Sequence, residues 1–285
     1  MPLLLAYFVV KLGEVLEVEY CPASIILKVT RVNRRSDNID GSTVIDQLAK
    51  KSTWMRKVTA VPLVSAGLVD WLWDDPDGLL EFGKPLVEKK CVRTTVLLQF
   101  ADEQVVVKRY VERSFRHLLK QMVQTSRAKR CWTDTLYLTG AGFPTPAPLA
   151  YREDRFGPFR GRSFYVYEYQ AGQTLLKCCR QLTNQRLLRN YVTQIVNIWR
   201  LQRELSVSLH DANPGNFILD RSGKIWVIDL DKLRHESRPE RLEQRLRKSL
   251  QFLLQGVFGD QAIIRFGTRK FEEMMSRTSP RKLAA

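Results

Sequence analysis

The sequence predicts an α+β protein built as two lobes, a small β-rich one followed by a larger helical one. Three observations predict it. Between residues 84 and 171, short β-branched apolar runs alternate with polar turns. After residue 172, apolar residues recur at helical spacing: in 186–204, Leu187, Tyr191, Ile195, Ile198 and Leu201 form one stripe. Residues 206–232, SVSLHDANPGNFILDRSGKIWVIDLDK, read as a polar loop, a strand, a turn and a second strand. Two polar clusters then stand at the ends of an apolar hairpin, which is how a rigid base aims carboxylates and amides at one point.

Composition frames this reading. A chain of 285 residues can bury a full core in one or two domains. Hydrophobic content of 44% and charged content of 27% are those of a soluble globular protein. The net charge of +16 asks for an anionic partner: nucleotide, phosphosugar, anionic membrane surface or nucleic acid. No zinc finger, RNP-type aromatic motif or helix-turn-helix signature accompanies it, so no nucleic-acid partner is expected. Cys21, Cys91, Cys131, Cys178 and Cys179 form no C-x-x-C and have no nearby His. Neither a zinc site nor a disulfide framework is indicated, and the pattern suits a reducing compartment.

Residues 1–83 read as an N-terminal extension, part of it packing on the β-rich lobe. MPLLLAYFVV is too short to span a bilayer and lacks a basic flank and a cleavage site, so it reads as a buried strand, with an interfacial segment as the lesser alternative. Val15–Tyr20 and Ile25–Val29 look like strands, 34–41 is a polar loop, 60–73 is apolar, and Asp74–Gly78 is a turn. Residues 84–171 make the β-rich lobe. Val92–Phe100 and Val105–Tyr110 flank a polar turn and predict an antiparallel hairpin. Residues 108–130 carry eight Lys or Arg against one acid, Glu112, with Phe115, Leu118, Leu119 and Met122 at helical spacing. This is a basic amphipathic helix, either a solvated face or a surface for anionic lipid or phosphosugar. A helix over 126–140 ends at Gly140 and Gly142, and a Pro-rich linker leads to a strand at 149–152. A basic loop at 155–162 precedes the strand Ser163–Tyr169, and Glu168–Gly172 runs out into a joint. Residues 172–285 form the helical lobe and end in a basic segment, TSPRKLAA.

The chemistry sits in the loop HDANPGN. Asp211 and Asn216 are five apart, and Asp229 follows thirteen residues later. The bland reading is a hairpin punctuated by Asn, Pro and Gly. The spacing matches the kinase pattern, in which an Asp accepts the substrate hydroxyl proton, and an Asn and a second Asp hold the metal ions that neutralise nucleotide phosphates. Lys108 ends a run of three valines. Alone it reads as a lysine snorkelling at a sheet edge; with the downstream spacing it reads as the strand lysine that pairs nucleotide phosphates.

With Lys108, Asp211, Asn216 and Asp229 in hand, the chain resembles the bacterial lipopolysaccharide core kinases of the Kdo/WaaP type. The likeness runs from roughly 70 to 255 and is carried by VVVKRY (105–110), the tract 113–151, RGRSFYVYEYQAG (160–172), HDANPGNFILD and VIDLDK. It implies a two-lobed protein-kinase-like fold and ATP-dependent phosphorylation of a heptose or Kdo hydroxyl of the lipopolysaccharide inner core. The work would be done in the cytoplasm, peripherally on the cytoplasmic face of the anionic inner membrane. Carried over by position, Asp211 is the catalytic base, Asn216 and Asp229 are magnesium ligands, and Lys108 pairs the ATP phosphates. Asp231 stands where a classical kinase has the glycine of D-F-G and is a secondary metal candidate. Glu168 falls at the adenine-binding joint.

Four positions depart from the pattern. Residues 88–104 contain no glycine, so the phosphate-covering turn is not Gly-rich. Cys131 stands where a glutamate would pair Lys108, leaving Asp134, one turn on, as a candidate partner. Asn213 occupies the place of a loop lysine, and His210 precedes Asp211 where kinases carry Arg or Gly. The rival readings are a kinase acting on another small molecule or a protein, and a non-catalytic pseudokinase scaffold.

Overall fold

A computed structural model describes residues 48–62, 64–89, 93–100, 103–111, 125–156, 159–180, 182–210 and 212–277. The strands expected before residue 30, the loop at 34–41, residues 112–124 of the basic helix expected over 108–130, Asp211 and the segment 278–285 lie outside the described residues; of that expected helix, 108–110 is strand and 127–130 opens the next helix. The chain divides into two compact units, residues 1–132 with 148–168, and residues 133–147 with 169–285.

The first unit is built on a seven-stranded antiparallel sheet of order β1-β2-β6-β7-β5-β4-β3. Its strands are β1 (Ala49–Ser52), β2 (Arg56–Ala60), β3 (Lys84–Lys89), β4 (Arg93–Phe100), β5 (Glu103–Tyr110), β6 (Pro148–Phe156) and β7 (Phe159–Glu168). The β4–β5 hairpin predicted from the sequence forms with register Arg93↔Tyr110 to Phe100↔Glu103. Period-two alternation then sorts the side chains. Val96, Leu98, Val105, Val107, Phe164 and Val166 join Val58, Ala60, Leu68, Leu72 and Leu79 in one apolar core. Helices α1 (Ala66–Asp74) and α2 (Gly78–Phe82) supply the last three of these. Residues 49–82, read from the sequence as extension, thus contribute two strands of the sheet and both helices over its apolar side.

The stretch 155–162 differs from its expectation. Its described residues are strand, because β6 runs through Phe156 and β7 starts at Phe159. Two of its arginines are paired on the sheet: Arg155 Nη2 lies 2.9 Å from Glu153 Oε2, and Arg162 Nη2 lies 3.2 Å from Asp154 Oδ2. Paired in this way, a basic run is compatible with a strand.

Helix α3 (Arg127–Gly140) starts in the first unit and ends in the second. Ser126 Oγ accepts from Lys129 N–H at 3.1 Å at its start. At its end Gly142 adopts φ +75°, and Phe143 N–H donates to Leu138 O at 2.9 Å.

The second unit is organised around α5 (Gln185–Glu204), capped by Asn184, whose side chain accepts from the N–H groups of Arg186 and Leu187. Its buried arc runs through Leu188, Tyr191, Val192, Ile195, Val196, Ile198, Trp199, Gln202 and Arg203. Leu187, assigned to the stripe from sequence, is instead exposed. Because α5 packs against α6 (Pro239–Val257), α7 (Gln261–Arg277) and short strands together, its buried arc is wide and centred on Leu188, and Leu187 falls beyond its rim. Two small sheets complete the unit, one of order β11 (Ile225–Val227), β10 (Phe217–Leu219), β8 (Gln173–Thr174), the other pairing β12 (Leu233–His235) with β9 (Val207–Leu209). The helix α4 (Leu175–Arg180) carries Cys178 and Cys179, both free, and burial pushes the Cys179 thiol up to about 12, where it is inert. No described helix is long and apolar enough to cross a membrane.

Candidate active site

Lys108 lies on β5, between β7 and β4, so it is interior to the sheet and not at an edge. Its rung partners are Thr95 and Tyr165, and alternation puts it opposite the apolar core, on the face that carries Tyr110, Ser163, Tyr165 and Tyr167. It is 3% exposed, with Nζ 5.3 Å from the centre of the Tyr167 ring. A snorkelling edge lysine is therefore ruled out. A cation this buried, on a face lined by phenol rings, keeps its charge only if anionic or π-electron partners compensate the lost hydration. The start of α3 packs on the same face: Tyr110 Oη lies 3.8 Å from Cys131 Sγ, and the Trp132 and Tyr151 rings are 5.5 Å apart. Cys131 is thus spent on packing. Glu168 closes β7, exposed, on the rung of Val105.

In the second unit, β9 (Val207–Leu209) leads to His210, which is exposed, and on to the loop. Asn213 does not stand in for a lysine. Its side chain accepts from Gly215 N–H at 2.9 Å and caps a 3-10 turn over Pro214–Asn216. Asn216 N–H donates to Asn213 O at 2.8 Å, which fixes Asn216 at the end of this turn. Strands β10 (Phe217–Leu219) and β11 (Ile225–Val227) then pair where the sequence placed them, with register Phe217↔Val227. One further bond, Ile228 N–H to Asn216 O at 2.8 Å, extends the ladder past Phe217. Asn216 and Asp229 are thereby brought to the same end of the hairpin, Asn216 in this last rung and Asp229 one residue past its partner Ile228. Asp229 adopts φ 64°, ψ 63°, one of two described non-glycine residues with positive φ. This conformation is strained for an L-residue and most tolerable for Asp or Asn. It ends β11 abruptly and starts the 3-10 turn Leu230–Lys232, which carries Asp231. Asn216, Asp229 and Asp231 are all half-buried.

The rest of the hairpin is pinned by groups that sequence reading missed. Gln194 on α5 donates from Nε2 to Gly223 O at 2.8 Å and accepts Ile225 N–H at 3.0 Å. Val227 N–H donates to Pro144 O at 2.8 Å, so the Pro-rich linker covers the outer edge of β11. Gln202, fully buried, accepts Leu209 N–H at 2.9 Å and holds β9 just before the loop. Gly172 passes so close to β10 that a Cβ would lie 2.4 Å from Leu219 O. The sequence signals only Gln202, a polar residue in the mostly apolar buried arc of α5; Gln194 lies off that arc. Asp134 lies 3.0 Å from His235 Nε2, and the Tyr137 ring faces His235 at 6.0 Å. Since β12 (Leu233–His235) pairs with β9, Asp134 is linked to the strand that follows Asp231.

A family model described as the lipopolysaccharide kinase (Kdo/WaaP) family matches residues 81–276. The chain belongs to that family. Membership of the Kdo/WaaP kinases makes phosphorylation of lipopolysaccharide core sugars the activity to be explained, and implies ATP with a divalent metal. Among the described residues no group of three or more His, Cys, Asp or Glu could hold a metal alone. The donors at the hairpin end, one amide and two carboxylates, nevertheless fit magnesium. That ion takes oxygen ligands, needs one or two protein carboxylates, and completes its shell with water and phosphate oxygens.

Proposed function

We propose that this Kdo/WaaP family member transfers the γ-phosphoryl group of ATP to a hydroxyl of heptose or Kdo in the lipopolysaccharide inner core. The observation that supports the proposal is the hairpin end, where the backbone bond from Ile228 N–H to Asn216 O and the left-handed Asp229 leave Asn216 and Asp229 at one end of the hairpin at the kinase spacing. Asp211 would accept the proton as the acceptor oxygen attacks phosphorus and the bond to the bridging β,γ-oxygen breaks. Asn216 and Asp229, with Asp231 in support, would hold magnesium, whose chemistry when bound is to offset the phosphate charge. Lys108 would pair the phosphates from the sheet, with Asp134 a candidate to orient it. The backbone beside Glu168 would meet adenine. Catalysis of this kind is positioning and charge neutralisation, which suits a chain of net charge +16 acting on an anionic acceptor in the cytoplasm, peripherally on the cytoplasmic face of the inner membrane.

The test is phosphotransfer to purified core acceptors bearing heptose or Kdo. Asp211→Ala and Asp229→Ala are each expected to lower the rate by about a thousandfold or more relative to wild type. Equal activity in all three proteins would refute the assignment. Magnesium-dependent nucleotide binding without transfer in the wild type would mark a non-catalytic scaffold instead.

A further inference from the structure

We propose that the tip of the β1–β2 hairpin is a membrane-docking element that seats Trp54 and Met55 in the interfacial layer of an anionic bilayer. The hairpin closes tightly. Thr53 N–H donates to Arg56 O at 2.7 Å, and Thr53 Oγ1 accepts the N–H groups of Met55 at 3.3 Å and Arg56 at 3.1 Å. Such a turn presents its two central residues outward. Trp54 is 71% exposed and Met55 39% exposed, although an exposed Trp–Met pair sacrifices apolar surface that folding would otherwise bury.

Cations collar the tip. Lys50, Lys51, Arg56 and Lys57 lie on the hairpin, and Arg155 of β6 donates its N–H to Met55 O at 2.6 Å. Nearby acids offset them only in part. Asp70 meets Lys51 at 3.5 Å and Glu153 meets Arg155. The Lys57 ammonium is held below its ordinary range, first by burial and then by Lys129, with Arg155 and Lys50 adding to the repulsion against the opposing pull of Glu153. A site crowded with like charge is relieved by an external anion.

An anionic bilayer matches both features. Indole belongs at the headgroup boundary, thioether and indole bury area there, and flanking Lys and Arg extend their stems to reach lipid phosphates. Nucleic acid fits less well, because single strands call for a groove and successive stacking rings, whereas this tip is convex and carries one ring. The inference deepens the proposed function, on which its biological purpose rests, but the lipid contact is measured without phosphotransfer.

The experiment is sedimentation of the full chain with vesicles of phosphatidylglycerol and phosphatidylethanolamine, free of lipopolysaccharide, beside neutral phosphatidylcholine vesicles. Wild type should partition into the anionic vesicles. The Trp54→Ser, Met55→Ser double variant should lose about tenfold or more in partitioning, and Lys50→Gln with Lys51→Gln about fivefold per charge, both with unchanged circular dichroism. Phe82→Ser, which removes an equally exposed ring elsewhere in the unit (75% exposed), should change nothing. Phosphotransfer to a soluble, deacylated core acceptor should survive in the Trp54→Ser, Met55→Ser protein, which separates failure here from failure of the kinase assignment. Undiminished binding of that double variant, binding indifferent to lipid charge, or retention by an oligonucleotide but not by vesicles would overturn the proposal.

Discussion

Lys108 and the Asn216–Asp229 pair are held in place by different physics. Lys108 rides on an interior strand of a seven-stranded sheet, and its direction follows from strand alternation and from the rings around it. Asn216 and Asp229 sit at the end of two three-residue strands, too short to be stable alone. What holds them is a set of single hydrogen bonds, accepted by Asn213, Pro144 and Asp220 and donated by Gln194. A group on a sheet is protected by many redundant contacts. A group on a pinned loop depends on a few groups that can each be removed.

The contrast is sharpest at Lys108. Because the sheet owes its stability to the apolar face opposite, Lys108→Met should leave the fold intact while phosphotransfer falls by about a hundredfold to a thousandfold. The check is the rate with saturating ATP, alongside thermal melting. If instead the variant melts far below wild type, the lysine is structural and the strand reading of its role fails.

On the pinned side, Gln202→Met should move stability and activity together. The substitution leaves the buried Leu209 N–H without its acceptor, a loss of about 1–3 kcal/mol. Gln202 Nε2 is itself buried with no hydrogen-bond partner among the described residues, so its removal offsets part of that loss and places the net cost at the low end of the range. Urea denaturation measures it. Because β9 feeds the loop, kcat should fall with little change in KM for ATP, whereas a purely structural role would leave kcat untouched.

The same contrast explains what could be read from sequence. The β4–β5 hairpin, the β10–β11 hairpin and α5 were legible because period-two and period-3.6 patterns are local. So was the placement of Asn216 and Asp229 at one end of the β10–β11 hairpin, which follows from the two strands between them. The face of α5 was misjudged by one residue at Leu187, since several elements pack on it and a single stripe understates the buried arc. Residues 155–156 and 159–162, assigned to a loop, proved to be strand, and the partners of Arg155 and Arg162, Glu153 and Asp154, lie outside that window. Gln194, Gln202 and the Pro144 carbonyl were invisible for a related reason: a glutamine or a carbonyl declares no partner until the chain has folded. Asn213 falls by position where kinases carry a loop lysine and is a cap by geometry.

The smallest expected effect isolates the turn at the far end of the hairpin. Asp220 Oδ1 accepts from Ser222 N–H at 2.8 Å, Ser222 Oγ at 2.6 Å and Lys224 N–H at 3.0 Å, and Oδ2 accepts from Trp226 Nε1 at 2.8 Å. Burial alone would raise its pKa, but the bonds from Ser222, Trp226 and Lys224 outweigh it and hold the carboxyl at about 2, below the ordinary 3.8. The ionised form is the one the fold favours, so its contribution is fully present above the ordinary value and is lost as pH falls toward about 2. The carboxylate is partly solvated, and screening reduces the effect to about 1 kcal/mol near neutral pH. Asp220→Asn should therefore unfold at lower urea than wild type near neutral pH, with about half of that gap remaining at about pH 3. Activity should hardly change, because Gln194 and the Asn216–Ile228 rung still fix the other end. A gap that stays constant with pH would mean the turn is held by shape and not by charge, and a large drop in activity would show that the two ends of the hairpin are mechanically coupled.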